Sequence, residues 1–158
     1  MLVIYRASDA VVLGELRTLG RADQITTISR LSGGTQADVW PITYTDGTQA
    51  IGKTITGAAP DLFAAEADGL AALHGTGYLA TPQVLAVTSG LLLLEALKRR
   101  NDSEQSWEQF ALDLAAAHRS TAGNRFGWHH DGYLGGSSLA SDQAAWAGRL
   151  RTAAASPP

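Results

Sequence analysis

The dipeptide Asp46-Gly47 stands between two segments rich in β-branched and aromatic residues, 37–45 and 48–55. A tight Asp-Gly turn flanked by such segments is a strong short-range signal for a β-hairpin, because the twist of the turn matches the twist of the strands it joins. A third β-branched segment, Ile25–Leu31, precedes the pair and ends in Ser32-Gly33-Gly34. Three neighbouring strands with short connections pair antiparallel, since parallel pairing needs a crossover of a dozen or more residues. The doubly wound α/β folds are therefore excluded.

Helical patterns flank this β unit. Val12, Leu13, Leu16 and Leu19 fall at helical spacing within residues 9–19. After the third strand, Pro60-Asp61 predicts a helix start, with Pro at the first helical position and Asp at the positive end of the helix dipole. That helix is expected to run to about His74 and stop at Gly75. Gln83–Val87 and Leu91–Glu95 read as two more strands joined by Ser-Gly, and Lys98–Glu104 as a polar linker. Ser106 with Gln109 forms a capping-box pattern for a helix ending near Gly123. Residues 124–142 read as loop, and residues 144–154 as a last helical segment.

The expected fold class is thus α+β: a five-stranded antiparallel sheet with one helix inserted after the third strand, as in the small lobe of a protein-kinase-like fold. Residues 1–96 form that nucleotide-binding N-lobe, and residues 97–158 the hinge and first helices of an incomplete C-lobe.

Composition narrows the partners. A chain of 158 residues with 45% apolar and 17% charged residues is of single-domain, globular type. Its net charge of −3 gives no reason to expect nucleic acid or an anionic membrane as a partner. The absence of cysteine excludes disulfides, zinc-thiolate sites and a thiol nucleophile. No apolar run reaches the ~20 residues of a membrane span, and the apolar start Met1–Tyr5 is too short for a signal sequence, so a cytoplasmic location is expected. Of the twelve basic residues only Lys53 and Lys98 are lysines.

Lys53 lies inside the apolar strand Ile51–Ile55. Period two sets Ile51, Lys53 and Ile55 on one face, and a buried ammonium there needs a partner. Alternatively Thr54 faces the core and Lys53 is solvated. Glu66 is a matching oddity: it is the only charge on the helical stripe Leu62, Glu66, Leu70 and Leu73. It could also sit at the stripe's edge. Taken together, a strand lysine and a helix glutamate thirteen residues on can pair in the interior, as in kinases, where the pair holds the lysine against the α- and β-phosphates of ATP.

The segment Leu31–Val39 carries Ser32, Gly33, Gly34 and Thr35 where a kinase places its phosphate-covering loop; a Gly-Gly between strands is also an ordinary turn. The backbone of Glu95, Ala96 and Leu97 follows an apolar strand and could receive adenine, or could simply end a core strand. His118 shares a helical stripe with Trp107, Phe110 and Leu114 and reads as a core histidine. His129-His130-Asp131 invites a metal reading, but adjacent side chains are expected to diverge and no third ligand is evident, so no metal ligands are assigned. No G-x-S-x-G or H-E-x-x-H segment supports a hydrolase or zincin.

At this point the chain resembles the fructosamine (ketosamine) kinase family, relatives of the aminoglycoside phosphotransferases. The resemblance rests on LSGGTQADVW (31–40), AIGKTI (50–55), DLFAAEADGLAAL (61–73), TPQVLAV (81–87), LLLLEAL (91–97), LAAAHRST (114–121) and RFGWHHDGYLGG (125–136). It implies ATP-dependent phosphorylation of a sugar hydroxyl on a ketoamine, a fructosamine or ribulosamine, in deglycation. It gives Lys53 the ATP-lysine role, Glu66 the partner role, and Gly33 and Gly34 to the nucleotide loop. Some relatives carry a redox-sensitive Cys in that loop; here it reads Gly34-Thr35-Gln36. The family also uses an H-G-D-x-x-x-x-N segment and a later Asp that holds Mg²⁺. Neither occurs in this chain, which is therefore expected to be truncated and inactive alone, or to act as a nucleotide-binding pseudokinase or interaction module. An apolar C-lobe face left uncovered by truncation would favour self-association.

Overall fold

The computed structural model describes residues 10–31, 37–98, 104–122, 128–134 and 137–139. In chain order these form α1 (Ala10–Thr18), a 3-10 turn (Ala22–Gln24), β1 (Ile25–Ile28), β2 (Asp38–Tyr44), β3 (Gln49–Thr54), α2 (Leu62–Gly75), β4 (Val84–Val87), β5 (Leu92–Glu95), α3 (Glu104–Ser120), β6 (Gly132–Leu134) and β7 (Ser137–Leu139). The first five strands make one antiparallel sheet in the order β1-β2-β3-β5-β4. The fold class is α+β, as expected from the hairpin signals.

The sheet is covered on both faces. Val12, Leu13 and Leu16 of α1 pack on one face against Trp40, Ile42, Tyr44, Ala50, Leu91 and Leu93. Leu62 and Phe63 of α2 pack on the other against Leu92 and Leu94, with Ile55, Ala67 and Leu70 around them. Successive residues of a strand point to opposite faces, so Leu92, Leu93 and Leu94 serve both clusters in turn. This is why β5 reads as a continuous apolar run. Gly47 closes the β2–β3 hairpin with φ 82°, a conformation glycine adopts without penalty.

Trp40 is 1% exposed, and its indole N–H donates to Thr54 Oγ1 at 2.9 Å across the β2–β3 pair. Trp40→Phe keeps most of the apolar volume but strands a buried hydroxyl. It should cost about 1–3 kcal/mol in urea unfolding, and adding Thr54→Val should recover part of that loss.

Several boundaries differ from those expected. β1 ends at Ile28, and Leu31 makes only an isolated bridge to Val39. The helix α2 begins at Leu62 rather than Pro60, because the Leu62 N–H bonds back to the Ala59 carbonyl in a preceding turn. The helix α3 begins at Glu104, so Ser106 lies in its first turn and cannot be its cap; the helix ends at Ser120. Gly132–Leu134 and Ser137–Leu139 pair antiparallel as β6 and β7 where a loop was expected, the strands being too short to display a period. Residues 144–154 lie outside the described residues.

His118 is exposed rather than in the core, and Ala117 takes the buried position beside it. Trp107 and Phe110 meet edge to face and are both exposed; Leu112 is exposed on a different side of α3. Among the described residues no helix is long and apolar enough to cross a membrane.

Candidate functional site

In β3, Ala50, Gly52 and Thr54 point toward α1 and are buried, while Ile51 and Lys53, with Ile55 just past the strand, point toward α2 and are half-buried. Both alternatives for Lys53 thus hold in part. Thr54 does face the deeper core, yet Lys53 is not left to bulk solvent, because the second face is covered as well. Leu62 and Phe63 anchor the first turn of α2 to the sheet. Glu66, one turn beyond Leu62, is then carried over β3. The Lys53 ammonium donates to Glu66 Oε1, with side-chain exposures of 25% and 33%. Of the expected stripe, Leu62, Glu66 and Leu70 face the sheet, but Leu73 is exposed; Phe63, fully buried, was missed.

The glycine-rich residues Ser32, Gly33, Gly34 and Thr35 lie outside the described residues, but both ends of their segment are in view. Leu31 bridges to Val39, and Val39 pairs with Lys53 across β2–β3. One row across the sheet therefore runs from the entrance of this segment to the lysine. At the exit, Ala37 lines the same hollow as Lys53, and Arg30 donates to the Asp38 carboxylate, tying the two ends together.

The Glu95–Leu97 strip is placed differently. The Glu95 N–H is taken by the Gln83 carbonyl at 2.9 Å, and its carboxylate accepts from the Gln83 N–H at 3.3 Å. Its side chain lines a separate hollow with Leu70, His74 and Gln83. Ala96 and Leu97 follow as irregular chain, and Leu97 is exposed. In the β3–β5 register, Glu95 pairs with Ala50 and Leu92 with Lys53. The strip is thus about 10 Å along the sheet from the lysine.

The segment from Trp128 to Tyr133 forms the second wall. Together with Ala37, Lys53, Leu62 and Glu66 it encloses a hollow of about 460 Å³. It is fastened to α2 at two places. The Tyr133 hydroxyl donates to the Asp61 carboxylate, which pushes the phenol above its usual range. Farther along α2, Asp68 Oδ2 is met by Trp128 Nε1 at 3.0 Å, His130 Nε2 at 2.9 Å and His129 Nε2 at 3.6 Å. The adjacent histidines do not diverge: the chain bends at 129–130 and their ring centroids are 4.4 Å apart. Asp61, Asp68 and Tyr133 had no sequence signal linking them, since the contacts span 60 residues or more.

Hydrogen bonding from His130, then from Trp128, holds the Asp68 carboxyl below its usual range despite some desolvation. The Asp131 carbonyl, then Asp68, holds His130 above its usual range. A raised histidine contributes stability below its unfolded value of 6.5 and loses it as pH rises through the folded value. A lowered carboxylate contributes above its unfolded value of 3.8 and loses it as pH falls through the folded one. In chelator-containing buffer the wall should therefore be held best between about pH 4 and 6.5 and loosen on either side. Amide exchange of residues 128–134 against pH checks this; a flat profile contradicts it.

A lysine ammonium in an open hollow, held by one carboxylate and backed by apolar walls, is suited to binding an anion. The sequence model of the fructosamine kinase family matches residues 11–148. A candidate fructosamine-3-kinase from Haemophilus somnus 129PT superposes with a TM-score of 0.70 at 27% identity, over 89% of this chain and 48% of that one. Another, from Thermobifida fusca YX-ER1, superposes with a TM-score of 0.65 at 27% identity, over 75% of this chain and 42% of that one. The chain thus matches less than half the length of either solved protein. No curated protein matches it significantly.

Proposed function

Because the chain belongs to the fructosamine kinase family, we propose that its hollow binds ATP in support of phosphoryl transfer to a sugar hydroxyl of a fructosamine or ribulosamine. The Lys53–Glu66 pair at the wall of the hollow carries this reading. In it, Lys53 neutralises the α- and β-phosphates, Glu66 holds the ammonium in place, and the Ser32–Thr35 segment lies over the phosphates. Ala96 and Leu97, with the carbonyl of Glu95, receive the adenine. The Glu95 N–H does not, being bonded to Gln83. The ~10 Å from that strip to Lys53 suits a nucleotide lying along β3.

The transfer step needs a carboxylate that accepts the hydroxyl proton. No H-G-D segment occurs among these residues. They are expected to bind nucleotide without turnover, the proton acceptor belonging to residues of the family pattern not contained here. The Mg²⁺ of the family has no fitting site among the described residues. Their one cluster of three potential ligands, Asp68, His129 and His130, carries two imidazoles, whereas Mg²⁺ prefers oxygen ligands. No step is assigned to it.

ATP at ten times its dissociation constant should stabilise the chain by about 1.4 kcal/mol, seen as a rise in melting temperature. No rise at millimolar ATP contradicts nucleotide binding. ADP release from a ribulosamine substrate by the pure chain contradicts the absence of turnover.

The exposed aromatic pair Trp107 and Phe110 of α3 favours a second reading, an interaction module. It expects mass in light scattering to rise with concentration, and a clean monomer contradicts it.

A further inference from the structure

We propose that Asp68, His129 and His130 form a binding site for one late first-row divalent ion, of the Zn²⁺ or Co²⁺ class, at the rim of the hollow. Three ligand atoms, one from each residue, lie within 4.8 Å of one another. Both imidazole Nε2 atoms converge on the same carboxylate oxygen, at 2.9 and 3.6 Å. Tetrahedral Zn²⁺ with bonds of about 2.0–2.1 Å sets its ligand atoms roughly 3.3 Å apart, so the two contacts with Asp68 bracket the required spacing and the most separated pair draws in by roughly 1.5 Å on binding.

The hydrogen bonds around the cluster have the form of a metal site's outer shell. His130 Nδ1 lies 2.9 Å from the Asp131 carbonyl. A carbonyl only accepts, so Nδ1 carries the hydrogen, and in the neutral ring Nε2 presents its lone pair. That lone pair faces Asp68 Oδ2 at 2.9 Å. The Trp128 indole N–H, 3.2 Å from that nitrogen and 3.0 Å from the oxygen, is shared between the two, and a metal ion bound by both would take the place of its contact with the nitrogen. Trp128 Nε1 donates to the same Asp68 oxygen at 3.0 Å and orients it.

Two imidazoles and one carboxylate suit zinc, cobalt, nickel or copper rather than magnesium or calcium. Both histidine side chains are partly exposed, at 66% and 38%, so an ion can enter and keep water in its remaining positions. Trp128 and His130 also line the hollow that holds Lys53, so an open coordination position can face a molecule bound there.

The test uses the whole untagged chain, stripped with chelator and free of nucleotide, so its outcome is separate from ATP binding. Zn²⁺ titration by calorimetry should give one site, and Co²⁺ should give the visible absorption of a low-coordinate complex. His129→Ala, His130→Ala and Asp68→Asn should each weaken binding about tenfold or more, while His118→Ala should not. Imidazole ¹⁵N NMR of the unaltered chain needs no variant. Zn²⁺ should shift the Nε2 signals of His129 and His130 and leave His74 and His118 unmoved. Absence of binding, equal loss in His118→Ala, or equal shifts at all four histidines overturns the assignment.

Discussion

Lys53→Met is expected to weaken ATP binding by roughly ten- to a hundredfold, the loss of one charge-assisted contact worth about 1.5–3 kcal/mol. Met keeps the length and apolar stem of lysine, so the wall that Lys53 forms with Ile55 and Leu62 is retained. The ion pair is only partly buried, and its contribution to folding should be about 1 kcal/mol or less. Binding should therefore fall much further than stability. Glu66→Gln retains an oxygen that accepts from Lys53 but loses the charge that fixes it, and should weaken binding by a smaller factor. If Glu66 acts only through Lys53, the double variant binds no worse than Lys53→Met alone. ATP affinity unchanged in Lys53→Met, or additive losses in the double variant, contradicts these roles.

Phe63→Ala should have the largest effect on folding, about 3–5 kcal/mol in urea unfolding. Phe63 is fully buried at the centre of the second cluster, between Leu62 of α2 and Leu92 and Leu94 of β5. A domain of this size is stable by only about 5–15 kcal/mol in total, so roughly a fifth or more of its margin is at stake. The same substitution loosens the turn of α2 that carries Glu66 over Lys53, and ATP affinity should fall with stability. Leu73→Ala on the exposed side of the same helix should change stability by less than about 0.5 kcal/mol. Comparable losses at the two positions would mean that α2 does not pack through Phe63.

What was legible in the chain follows the range of the forces involved. Asp46-Gly47 announces its hairpin because turn chemistry is local. The Lys53–Glu66 pair could be anticipated because each residue breaks an apolar pattern, and a charge on an apolar face needs an answer nearby. Leu73 keeps the angular position of the stripe but lies in the exposed last turn of α2, whereas Phe63 was overlooked because the face of α2 covering the sheet is wider than a single row. Ser106 resembled a cap only while the helix was taken to begin after it. The wall from Trp128 to Tyr133 was illegible. Its anchors Asp61 and Asp68 lie on α2, and nothing in their neighbourhood announces partners more than fifty residues on. The expectation that His129 and His130 diverge failed for the same reason: a distant carboxylate draws both rings to one point.

With two lysines in the chain, uniform labelling of lysine side chains gives two ammonium signals, and Lys53→Met identifies the one that matters. Titrating ATP into the labelled protein should move the Lys53 signal along a saturating curve whose midpoint equals that of thermal stabilisation. A Lys53 signal that stays fixed while ATP stabilises the chain, or that moves only in step with Lys98 and without saturation, would show that the triphosphate does not lie against the Lys53–Glu66 pair.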